Sequence, residues 1–137
     1  DLDYILRAFP NHTPALYLMT RHQIRLREAN EPRENGVRSI ECYFDRALRL
    51  NPDDGAVYLI QGFYLHQNGQ LQKSLDAYLK AQELLPENNL DLTYNLGLLY
   101  FDLHQYDKAL EQAKKAAALG HPLSGLKMKL KAAKAWK

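Results

Sequence analysis

Apolar residues recur at spacings of three and four along most of the chain, the mark of helices buried on one face. The pattern is sharpest over residues 93–116, TYNLGLLYFDLHQYDKALEQAKKA, where two short helical stretches flank one polar turn. The first stretch carries Gly97 between Leu96 and Tyr100, and the second carries Ala109, Ala113 and Ala116 on one face. Glycine inside a helix costs roughly 1 kcal/mol against alanine, so it asks for a packing reason. Close approach supplies one: Gly97 is expected to let the second helix lie almost on the backbone of the first. Such a pair is amphipathic and cannot bury its apolar face alone. It requires copies of itself on either side.

The chain contains such copies. Shifted back by 35, Leu96-Gly97 falls on Gln61-Gly62, Tyr100 on Leu65, Ala109 on Ser74, Ala113 on Tyr78, Ala116 on Ala81 and Leu119 on Leu84. A further shift of 34 repeats the second helix as Ile40, Phe44, Ala47, Leu50 and Pro52. A shift of 42 carries Leu2, Ile5, Ala8 and Pro10 onto Phe44, Ala47, Leu50 and Pro52, and Leu16 and Thr20 onto Tyr58 and Gly62. The period is therefore 34, with one residue added near residues 87–89 and about eight inside the first full repeat. The larger insertion is EANEPRENG, residues 28–36. There Pro32 cannot continue a helix without losing a hydrogen bond, and Asn35-Gly36 signals a turn.

The resulting expectation is all helix, with spans at 1–9, 13–30, 37–50, 55–68, 71–85, 90–103, 106–119 and 122–136. Asn51-Pro52-Asp53-Asp54 and Pro86-Glu87-Asn88-Asn89 punctuate the helices, and Asn68-Gly69 and Gly120 stand where C-caps are expected. No segment alternates with the period of two that a half-buried strand requires. We read residues 1–137 as one domain. Residues 1–10 form the remnant of a preceding helix, and 13–54 the first repeat with its insertion. Residues 55–88 and 90–122 are the second and third repeats, and 122–136 a capping helix. In the cap, Leu123, Leu126, Leu130 and Ala133 are expected to cover the last repeat while the lysines face water. The start, DLDYILRAF, lies inside a helix and suggests a piece of a longer protein.

These residues resemble the tetratricopeptide repeat, whose pattern is W-x2-L-G-x2-Y…A-x3-F…P. Residues 93–122 match through Leu96, Gly97, Tyr100, Ala109 and Pro122, with Thr93 at the Trp position and Ala113 at the Phe position. Residues 58–86 match through Gly62, Tyr78 and Pro86, with Tyr58, Leu65 and Ser74 as departures. Residues 16–52 match through Phe44, Ala47 and Pro52, with Thr20 as the small residue of the first helix. The resemblance implies a right-handed superhelical α-solenoid of antiparallel helix pairs, whose first helices line a concave groove that holds peptides. The FPNH…LGHPL layout is similar to that of exported proteobacterial repeat proteins. That implies a bacterial source and tilts the compartment from cytoplasm toward periplasm.

Projected onto this chain, the groove positions are Tyr17, Arg21, Ile24 and Arg25, then Leu59, Phe63, His66 and Gln67, then Tyr94, Leu98, Phe101 and Asp102. Tyr, Phe and Leu at such positions leave an aromatic, apolar stripe that marks a binding site when nothing covers it. Asn95 matches an Asn of the clamp with which one subclass of the family holds chaperone C-termini. The Lys and Arg of that clamp are replaced by Leu59, Ile60 and Tyr94, so chaperone-tail capture is not expected. Arg21 and Arg25 suit an acidic group at one end of the groove.

Composition narrows the alternatives. The apolar fraction of 46% and charged fraction of 25% are ordinary for a globular chain, and no apolar run approaches a membrane span. The net charge of +2 is uneven: without Lys127, Lys129, Lys131, Lys134 and Lys137 it would be −3. A basic amphipathic end of this kind admits contact with an anionic membrane or nucleic acid, although a solubilised cap is the simpler account and no nucleic acid is expected as a partner. The five histidines share no i,i+3 or i,i+4 pairing, and no Cys/His spacing fits zinc. Cys42 has no activating neighbour, and no phosphate-cradling loop is present. Neither an enzyme nor a cofactor is expected. The expected function is a scaffold holding a protein or peptide partner, with homo-oligomeric self-association through the 1–9 edge as the alternative.

Overall fold

The computed structural model describes residues 1–122 and 124–137, so Leu123 lies outside the described residues. Among the described residues every regular element is an α-helix. In chain order these are α1 (Leu2–Ala8), α2 (Thr13–Glu28), α3 (Ile40–Leu50), α4 (Gly55–Gln67), α5 (Leu71–Leu84), α6 (Leu90–Asp102), α7 (Tyr106–Ala118) and α8 (Ser124–Ala132). Local side chains set several of the starts by accepting backbone N–H groups that a helix leaves unpaired. Asp54 caps α4 through Val57 at 3.3 Å, Asn89 caps α6 through Leu92 at 2.9 Å, and the His12 ring caps α2 through Ala15 at 3.2 Å. The turn between α4 and α5 uses Gly69 at φ 78°, and the equivalent turn between α6 and α7 places His104 at φ 59°. A hydrogen bond of 3.0 Å to the Tyr106 hydroxyl holds the His104 ring there.

Two boundaries differ from expectation by three residues or more. The third helix begins at Ile40 instead of 37, because buried Gln23 clamps the chain just before it. The Gln23 amide donates to the Arg38 carbonyl at 2.7 Å and accepts from the Ile40 N–H at 2.8 Å. The last helix ends at Ala132 instead of running to 136. Lys134 then turns the chain through φ 58° and brings Ala135 and Trp136 back against the core.

The helices stack as antiparallel pairs. The pairs α4/α5 and α6/α7 pack most closely, and α5 lies on α6 and α2 on α4. The pair α2/α3 is looser, held apart by the long insertion. One core group joins Leu6, Leu16, Ile40, Tyr43, Phe44, Ala47 and Val57, and a second joins Tyr78, Ala81, Leu96, Leu99, Ala109, Ala113 and Leu126. The stack is an α-solenoid.

The glycines show how near the layers approach. A Cβ on Gly62 would stand 2.5 Å from Cδ1 of Tyr78, so the second helix of that pair lays its tyrosine on the first helix's backbone. At Gly97 the expectation needs correction. A Cβ there would meet Cδ2 of Leu126 at 2.6 Å, whereas α7 comes no nearer than Gln112 Cβ at 3.4 Å. Gly97 makes room chiefly for α8.

Candidate functional site

The first helices α2, α4 and α6 lie side by side, as their mutual packing requires, and their N-terminal halves enclose a groove of about 520 Å³. Its wall comprises Tyr17, Leu59, Ile60, Phe63 and Tyr94, with Asn95 and Asp91 as polar members. Each helix presents the same face to it because residues four apart fall nearly in line. Tyr17 and Phe63 meet with ring centroids 5.7 Å apart, which joins α2 to α4 across the groove floor. Arg21 extends this row, its guanidinium 5.9 Å from the Tyr17 ring. The Asn95 carboxamide is half-buried, and among the described residues it has no hydrogen-bond partner.

The other projected residues divide among different settings. His66 and Asp102 face each other from α4 and α6 with Nε2 and Oδ2 2.6 Å apart, and His66 is only 11% exposed. They form a cross-brace below the groove. Leu98 packs against the second core group. Phe101 also turns inward, against Tyr106 at 5.2 Å and under the Lys129 ammonium at 5.7 Å. Gln67 is exposed at the end of α4, where its carbonyl accepts from Arg27 at 3.1 Å. Tyr94 serves two surfaces: it lines the groove and stacks on His121 at 4.0 Å.

Ile24 and Arg25 also lie off the groove wall. Ile24 is 7% exposed and belongs to the first core group. Arg25 opens on a separate depression with Asp3, Leu18, His22, Leu26 and Glu34. For Arg25 the cause is geometric: each step of four residues turns about 40° on a helix of 3.6 residues per turn. From Tyr17 through Arg21 the drift is tolerable, and by Arg25 it has carried the side chain onto the next face. Conversely, Thr13, Pro14 and Ala56 line the groove without having been singled out, and Ile60, named only as a clamp replacement, lines it too. The signal for them was one turn before Tyr17, Leu59 and Phe63 on the same faces.

No helix among the described residues is long and apolar enough to cross a membrane, and no cluster of His, Cys, Asp or Glu among them has metal-binding geometry. The perturbed phenols, Tyr43, Tyr64, Tyr78 and Tyr100, all lie outside the groove wall and are raised first of all by burial.

Comparison with known proteins places this architecture. The sequence profile of the family described as tetratricopeptide repeat matches residues 38–89. Human protein O-mannosyl-transferase TMTC3 is 33% identical over 109 residues, which is 80% of this chain and 11% of that protein. The chain thus spans about a tenth of that relative's length, and the relative's named activity belongs to a much larger molecule. Among solved structures, MamA superposes with a TM-score of 0.66 at 19% identity, covering 98% of this chain and 75% of MamA. A thermophilic tetratricopeptide protein of Thermus thermophilus, TTC0263, gives 0.65 at 21% identity, covering 98% and 69%. At these identities the structures speak for the fold. Residues 38–89 thus belong to the tetratricopeptide repeat family, and the chain as a whole shares the fold of these solved structures.

Proposed function

We propose that the concave groove captures an extended segment of a partner protein through an aromatic or large aliphatic anchor. The family provides protein–protein interaction modules, and that coarser role holds for this chain. The observation supporting the finer reading is the wall itself. Tyr17, Leu59, Phe63 and Tyr94 form one apolar surface with a single unpartnered amide, Asn95, at its edge. An apolar anchor gains burial against the rings, and Asn95 fits a peptide group of the bound backbone. Arg21 at the end of the row favours a carboxylate beside the anchor.

Selection from a random peptide display library tests this reading. Enriched peptides should carry a Phe, Tyr, Trp or Leu anchor with a neighbouring Asp or Glu. Phe63→Ala should weaken them at least tenfold, about 1.4 kcal/mol, with far-UV helicity unchanged. Peptides that bind Phe63→Ala as well as the parent would rule the groove out.

A further inference from the structure

We propose that the basic C-terminal end of this chain docks on an anionic lipid bilayer. Residues 112–137 carry seven lysines and no Asp or Glu, whereas residues 1–111 carry eleven Lys and Arg against sixteen Asp and Glu. The balance is +7 on one side of that divide and −5 on the other. A molecule so polarised is turned by a charged surface before it touches it. Among the described residues none of the seven lysines is ion-paired with a carboxylate.

The shape of α8 selects the kind of surface. Leu126 and Leu130 are fully buried and fix the helix on its neighbours. Met128 falls on the opposite side and is 70% exposed. At 100° per residue, Lys131 stands beside Met128 on the outer face, and Lys127 and Lys129 form the two shoulders. The Lys127 ammonium lies 5.0 Å from the Trp136 ring centroid and the Lys129 ammonium 5.7 Å from that of Phe101, so both charges sit over aromatic faces on the two shoulders of α8. An apolar crest flanked by long cationic side chains suits the headgroup region of a membrane. There the crest is buried and the lysines reach phosphates. A purely solvated cap explains the lysines but gains nothing from exposing Met128. A nucleic-acid backbone would attract the same charge and offer Met128 no apolar layer to enter.

The test is co-sedimentation of the whole chain at physiological salt with vesicles of phosphatidylcholine alone or containing phosphatidylserine. Binding is expected only to the phosphatidylserine vesicles. Each of Lys129→Gln, Lys131→Gln and Lys134→Gln should lower the partition coefficient about fivefold, in line with the attraction of a lysine near an anionic leaflet. Met128→Asp should lower it further, and every variant should keep its circular dichroism. Phe63→Ala should sediment like the parent, which separates this surface from the groove. Equal binding to neutral vesicles, absence of binding, or unchanged binding of the lysine variants would overturn the proposal. So would a short DNA duplex that displaces the chain from vesicles at equal phosphate concentration.

Discussion

Tyr78 sits at the centre of the stack, fully buried, with its ring against Gly62 and its hydroxyl without a hydrogen-bond partner among the described residues. Burying a hydroxyl unpaired costs roughly 1–3 kcal/mol. Tyr78→Phe is therefore expected to raise the denaturation midpoint at neutral pH by about 1 kcal/mol of stability. A loss of stability would mean that the hydroxyl has a partner. Burial also raises the Tyr78 pKa well above 10, and Tyr43, Tyr64 and Tyr100 move in the same direction. A phenol whose folded pKa exceeds its unfolded value contributes stability that is complete below about pH 10 and lost as pH rises past it. Chemical denaturation at about pH 8 and about pH 10.5 should show this decline, and Tyr78→Phe should show less of it.

Among the elements, α3 depends most on a single side chain. The pair α2/α3 has lost the tight turn of its relatives to the 28–36 insertion, and Gln23 substitutes for it by bonding both sides of the chain before Ile40. Gln23→Ala would strand a buried N–H and cost about 2 kcal/mol, seen in thermal melts. It should also speed amide exchange at the start of α3. If exchange there is unchanged, the clamp carries no weight. This device was not legible in the sequence, since a glutamine on an amphipathic helix reads as surface. The helix pairs were legible because their apolar spacing and their Asn-, Asp- and Pro-rich punctuation agree. The last helix was drawn too long because AAKAWK has the composition of a helix, and only the tertiary contact of Trp136 shows the chain folding back.

For the whole molecule, the groove was legible as a set of faces and blurred in its members. Repeat register put Tyr17, Leu59, Phe63 and Tyr94 on one face, and they are neighbours on one wall. It could not foresee that Phe101 would be covered by Tyr106 and Lys129, or that His66 would be used up on Asp102, because both depend on contacts between layers. Layered molecules of this kind unfold by layers as well. Leu126→Ala opens a cavity against Gly97, a change that costs about 2–5 kcal/mol in a packed core. Hydrogen exchange should locate that loss in α8 and spare α4 and α5. Uniform loss along the chain would make the stack one cooperative body.

The contact between Leu126 and Gly97 has one more consequence. In the second repeat the hollow above the glycine is filled from within, by Tyr78. In the third repeat the matching position is Ala113, too short to reach, and the hollow is left for a guest. The final helix is that guest: a tethered ligand seated in a receptor made of α6 and α7. Leu126 and Leu130, both fully buried, hold it in that seat. Ala113→Phe would close the hollow from inside and leave the helix with nowhere to bind.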